Sequence, residues 1–182
     1  MTTQDQGQDK RFNTIDRVVQ LYGDLLFDLC ESILWSSSSA QSAFQVVLKE
    51  IRQQSLRQAA FEHYERAWVL RIACEKLRIL VQKQGRRLSP SEQIMLDATL
   101  DNKTRLEHFD SYFHRLPTED QFLLLFRDKY GLPYSEIASA MALPEGSLKT
   151  KRQQAFRALE EWLWPEQAPE QTGEQPTPLV DP

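Results

Sequence analysis

Glycine is scarce in this chain, six residues in 182, and stretches in which β-branched and polar residues alternate are nearly absent. Their lack argues against a strand-built fold and leaves an all-α one. Apolar runs of membrane-spanning length are missing as well. The opening MTTQDQGQDK is polar and has no hydrophobic centre for a signal peptide. A cytoplasmic protein without membrane insertion is therefore expected. Cysteine is limited to Cys30 and Cys74, each inside an apolar-periodic stretch, and both read as small buried thiols rather than a disulfide. The three histidines, His63, His108 and His114, have no metal-ligand spacing with one another or with the cysteines. No phosphate-cradling glycine loop or nucleophile elbow occurs. An enzyme, a bound metal or an organic cofactor is accordingly not expected.

What the chain does contain is unevenly distributed. Its last eighteen residues, PEQAPEQTGEQPTPLVDP, hold five of the nine prolines and four acids, with no Lys or Arg. Such a segment buries too little apolar surface to offset its ordering entropy, so a disordered acidic, Pro-rich tail is expected over 165–182. Its four acids account for the whole formal charge of −4, leaving residues 1–164 neutral overall. That balance argues against a general polyanion binder while allowing one focused basic site.

Upstream of the tail, apolar spacing predicts a series of helices. Leu21, Leu25, Leu26, Leu29 and Ile33 share one face of the first, and SSSS at 36–39 breaks the pattern and supplies N-caps to the next. Phe44, Val47, Leu48 and Ile51 form an i, i+3, i+4, i+7 stripe on the second. A third, over 58–83, carries Phe61, Trp68, Ile72 and Leu80, with basic residues interspersed. QGRRLSP at 84–90 is the expected boundary. Ser89 to Glu92 then fits a capping box that opens a short helix reaching Leu100. A further helix from 102–104 places Leu106, Phe109, Phe113 and Leu116 on its core face, and another runs from Pro117 to Gly131. Two small helical domains are expected, 12–85 and 103–164, joined by a linker at 86–102.

The end of the second domain has the layout of a helix-turn-helix. Ile137, Ala138 and Met141 give the first helix an apolar face, and Ala138 is small where two helices would cross. Leu143 plugs the turn, and Pro144 sets the start of the second helix, whose buried stripe is Leu148, Ala155 and Leu159. Its other faces present Ser147, Lys149, Thr150, Lys151, Gln153, Gln154 and Arg157. Lys and Arg meet phosphates or guanine and Gln pairs with adenine, the chemistry of a major-groove reader.

From Leu116 to Leu159 the chain resembles region four of bacterial RNA polymerase sigma factors, most closely the compact extracytoplasmic-function (ECF) class that has only regions two and four. The resemblance implies that the seven residues just named read the −35 promoter element. ERAWVLRIACEKLRILVQKQGRR, at 65–87, resembles the region-two helix that binds and opens the −10 element. It implies −10 DNA contacts for Tyr64, Arg66, Arg71, Lys76, Arg78 and Lys83, through charge and base stacking, while Trp68 reads as core. The helix from Ala40 to Arg52 falls where the family docks on the polymerase clamp, and implies polymerase contacts at Gln41, Gln45, Lys49 and Glu50. Implied partners are core RNA polymerase and promoter DNA, with an anti-sigma factor a further candidate. The sequence also departs from the family pattern. Serines replace the acids that open the clamp-binding helix, Cys74 and Glu75 replace basic and amide residues, Ala142 stands for a turn glycine and Pro133 for a capping serine. Arg152 takes a usually aliphatic position, where it must snorkel or add a phosphate contact. The serine replacement keeps a second reading open, a sigma-like decoy for an anti-sigma factor or a DNA-binding regulator without initiation activity.

Overall fold

The computed structural model describes residues 5–34, 36–57, 66–84 and 108–165, with side-chain environments from Ile15 onward. Every regular element among them is helical: α1 (Asp5–Leu34), α2 (Ser37–Arg57), α3 (Arg66–Gln84), α4 (Phe109–Phe113), α5 (Thr118–Leu124) continued by a π-helical turn (Leu125–Lys129), α6 (Tyr134–Met141) and α7 (Glu145–Leu163). Residues 58–65, the expected helix after Ser89, the linker and the tail from 166 lie outside the described residues.

The first half is a packed trio. Val18, Leu26, Leu29, Cys30 and Ile33 of α1 are buried against α2 and α3, which contribute Val47 and Ile51, and Val69, Leu70, Ile72, Ala73 and Leu77. Burying each large aliphatic side chain contributes about 1.5–3 kcal/mol, so this stripe outweighs any local propensity. Leu21, expected in the stripe, is instead 57% exposed, because it sits on the shoulder of the face that Val18, Leu25 and Leu26 define. Ser36 caps α2 as expected. Its Oγ accepts from the Ser39 amide at 3.5 Å, and its carbonyl accepts from the Ala40 amide at 2.8 Å.

In the second half, α5, α6 and α7 each begin directly after a proline, Pro117, Pro133 and Pro144. The pyrrolidine ring presets φ near the value that each helix entry needs, and the proline carbonyl accepts the first amides of the helix. Pro133 therefore opens α6 without a capping hydroxyl. Gln121 is buried, and its Nε2 donates to the Leu116 carbonyl at 2.7 Å, tying the end of α4 to α5. Phe109 corrects the expected core face of α4. It is 40% exposed and stacks on Phe113 at a centroid distance of 6.2 Å, covering that ring rather than entering the core.

The two halves are not held apart. α3 packs along α6, α1 touches α5, and the buried residues of both halves belong to one continuous cluster. Cys30 and Cys74 are both buried free thiols, and burial pushes Cys30 up to about 12 and Cys74 up as well. Neither is a reactive nucleophile. Among the described residues, no helix is long and apolar enough to cross a membrane.

Candidate nucleic-acid interface

The α6–α7 pair is a helix-turn-helix whose bend rests on one residue. Ala142 adopts the left-handed conformation, φ 57° and ψ 43°, and the Leu143 amide closes back on the Ala138 carbonyl at 3.1 Å. Leu143 is half-buried beneath the turn and packs on the core, the plug expected of it. On α7, Leu148, Ala155, Leu159 and Leu163 are buried. That stripe fixes which side of the helix faces out. Lys149, Thr150, Gln153, Gln154 and Arg157 are exposed, and Lys151 is half-buried. Ser147 Oγ donates to the Pro144 carbonyl at 2.8 Å, so its hydroxyl is engaged in the first turn of α7.

Several charges around this face were not anticipated. The π-helical turn ends as the Leu132 amide bonds to the Phe126 carbonyl at 2.9 Å, and Gly131 follows the turn with φ +66°. Arg127 donates to the Leu132 carbonyl at 2.9 Å and lies over the Tyr134 ring at 4.8 Å, with Lys149 Nζ 6.0 Å from the same ring. Two cations thus flank one aromatic face at the open edge of the motif. Arg152 neither reaches outward nor merely snorkels. It makes a forked ion pair with Asp128, Nε lying 3.0 and 2.9 Å from the two carboxylate oxygens, and it stacks over Phe156 at 4.6 Å. The hydrogen bonds it donates to Asp128 hold its guanidinium above the ordinary arginine value. Lys151 lies near Asp120, whose carboxyl is pushed up by burial while Lys151 opposes the shift.

On α3, the expected −10 residues are arranged very differently. Arg66 Nε and Nη2 donate to Glu136 of α6 at 2.5 and 2.6 Å. Arg78 Nε and Nη2 donate to Glu119 of α5 at 2.5 and 2.9 Å, and Nη2 also reaches the Met141 carbonyl at 3.2 Å. Both guanidiniums are raised above their ordinary value, chiefly by these hydrogen bonds. Arg71 pairs with Glu75 one turn along at 3.3 Å. Lys83 is exposed near the end of α3, Trp68 is half-buried against the core, and Tyr64 lies outside the described residues.

The expected polymerase contacts separate into two groups. Gln41, Gln45 and Lys49 form an exposed row along α2 at i, i+4 and i+8. Glu50 turns away from that row. It meets Lys76 at 2.6 Å and accepts from Gln54 at 3.0 Å, so residues expected at two different interfaces satisfy each other instead. Sequence reading missed Glu119, Glu136, Asp128 and Asp28 because lone acids on helices look like solvated surface. Only Asp128 left a signal, since its partner Arg152 stood at a position that is usually aliphatic. Among the described residues, no group of three or more His, Cys, Asp or Glu side chains could hold a metal ion.

A helix-turn-helix with a basic and amide-rich second helix defines a DNA-binding domain. Its particular kind follows from the comparisons. Residues 107–159 match the family model of sigma-70, region 4. The described fold resembles the sigma factor RpoE of Bartonella quintana, solved in complex with the anti-sigma factor NepR. The TM-score is 0.60 at 17% sequence identity, over 81% of this chain and 95% of that one. No match was found among curated proteins. Residues 107–159 are thus similar to sigma-70 region 4, and the chain shares the fold of a sigma factor. The expected resemblance to a sigma factor is borne out by the region 4 match and the shared fold.

Proposed function

We propose that the protein is a cytoplasmic sigma factor of the ECF class. It binds core RNA polymerase and directs it to promoters, reading the −35 element with α7 and engaging the −10 element with α3. The observation that carries this reading is the exposed face of α7. Lys149, Thr150, Gln153, Gln154 and Arg157 stand outward on a helix whose position in the chain matches region 4. Ser147 and Lys151 flank that face. Arg66, Arg71, Lys76, Arg78 and Lys83 supply the basic character of α3, with Tyr64 just ahead of it. Gln41, Gln45 and Lys49 form the row offered to the polymerase, while Glu50 is turned toward Lys76. The bond-making chemistry belongs to the polymerase. Promoter DNA and core polymerase are the partners, and an anti-sigma factor is a third, as for the Bartonella protein of similar fold.

A second reading has its own observation. The first turn of α2 contains no acidic residue of its own; the Ser36 and Ser38 hydroxyls bond to each other, and the Ser37 hydroxyl donates to Glu31 of α1 at 3.1 Å. A clamp-docking helix without acids favours a sigma-like regulator or decoy that does not initiate transcription. Mixing the purified protein with core polymerase separates the two. A stable complex and run-off transcripts from candidate promoters are expected. The absence of a complex at moderate salt would overturn the initiation reading and leave the regulator.

A further inference from the structure

The second half carries an apolar groove apart from the outward face of α7. It encloses about 540 Å³ between α4, the end of α5 with its π-helical turn, and the last turns of α7. Four aromatic residues line it, Phe109, Phe113, Phe156 and Trp164. Phe109 is 40% exposed, so apolar surface stands open at the mouth, a mark of a docking site. The charges beside it are already paired, Asp128 with Arg152 and Lys129 with Asp28. A ligand seated here therefore meets an aromatic wall rather than a polar one.

The chain itself departs from the rim of this groove. α7 ends at Leu163, the Trp164 amide bonds back to the Glu160 carbonyl at 2.7 Å, and Pro165 cannot continue the helix. Farther on comes PTPLVDP at 176–182, with three of the tail's five prolines and the only large aliphatic side chains beyond Trp164, Leu179 and Val180. A polyproline II helix has about three residues per turn, so Pro176, Leu179 and Pro182 would share one face. Proline-rich segments seat in aromatic-lined grooves through such a face. We infer that residues 176–182 of the same chain occupy this groove, with Leu179 and its neighbouring prolines set against Phe109, Phe113 and Trp164. The twelve steps from Trp164 to Pro176 reach roughly 35–40 Å when extended, ample to turn back over the groove. Tethering supplies an effective concentration of about a millimolar, so a contact too weak to hold a free peptide well suffices within one chain. An occupied groove is barred to any other apolar partner until the segment is displaced. None of this depends on whether the protein initiates transcription.

The test uses the full chain and two readouts. The first is fluorine NMR on protein containing fluorotryptophan, with the Trp164 signal assigned through Trp164→Phe. Leu179→Ser with Val180→Ser should shift that signal, and Gln171→Ser with Gln175→Ser, a like change off the docking segment, should not. The second is fluorescence anisotropy with a labelled peptide copying residues 174–182. The Leu179→Ser and Val180→Ser chain should bind the peptide about fivefold more tightly than the parent, as when roughly four-fifths of the parent's grooves are already filled. Adding Phe109→Ala should abolish that binding, and Phe109 is exposed enough to be truncated without opening the core. A Trp164 signal unmoved by the tail variant would overturn the assignment. Peptide binding that survives Phe109→Ala would place the segment elsewhere and overturn it as well. A parent that sediments as a dimer and becomes a monomer with Phe109→Ala would give the groove to a second copy instead. The functional reading stands or falls separately, on the polymerase complex.

Discussion

Ala142 holds a backbone conformation that costs an L-residue on the order of 1 kcal/mol and costs glycine almost nothing. Ala142→Gly should therefore stabilise the protein by about 0.5–1 kcal/mol, after the extra freedom glycine gains in the unfolded chain is counted. A melting temperature raised by roughly 2–4 °C checks it. Gly131 is the converse case. Its φ is +66° and no atom lies within 4 Å of where a Cβ would stand, so a side chain there would be penalised by the backbone alone. Asp28 gives a prediction in pH. Burial alone would raise its carboxyl, but the hydrogen bonds from Lys129 and Tyr130 outweigh burial and hold it below the ordinary value of 3.8. A depressed carboxylate contributes stability above its unfolded value and loses it as pH falls through the folded one. Asp28→Asn should thus be less stable than the parent at neutral pH, and the gap should close as pH drops below about 3.8. A gap that stays constant in denaturant titrations down to pH 3 would contradict this assignment.

The helix-turn-helix was the most legible element, for a physical reason. Its second helix alternates buried and exposed positions at the helical period, so Leu148, Ala155 and Leu159 identify the outward residues by elimination. Periodicity could not resolve the polar partners across elements. Arg152 looked like a misplaced aliphatic until Asp128, 24 residues earlier, was found beside it. Leu21 and Phe109 failed for another reason: an apolar residue at the edge of a stripe satisfies the pattern whether or not anything covers it. The two lysines of the outward face of α7 make a direct prediction at this scale. Lys149→Ala with Lys151→Ala should weaken promoter binding and flatten its log–log salt dependence by roughly one to two units. The Lys149 share should be the larger, because Lys151 already lies near Asp120. An unchanged slope would mean that neither lysine meets phosphate.

At the scale of the whole molecule, the formal charge falls in the last eighteen residues of the sequence. The acids of 165–182 account for the formal −4, and they follow directly on from the basic helix α7. Removing 165–182 should raise affinity for non-promoter duplex, most visibly at low salt where screening is weak, and equal affinities for the two forms would dispose of that role. The chain suggested two helical units but not how they pack together, since that depends on pairs such as Arg66 with Glu136, 70 residues apart. One local feature governs that packing more than its size suggests. The π-helical turn at Leu125–Lys129 holds a residue more than an α-turn would. Lose one residue there, and the chain beyond it rotates by about 100° about the axis of α5. Glu136 would then swing away from Arg66, and α7 would point elsewhere. Single-residue deletions in this segment should therefore be poorly tolerated wherever they fall, whereas a length-preserving substitution acts only through the side chain it replaces, severely at the buried Leu125 and Phe126 and mildly at the more exposed positions.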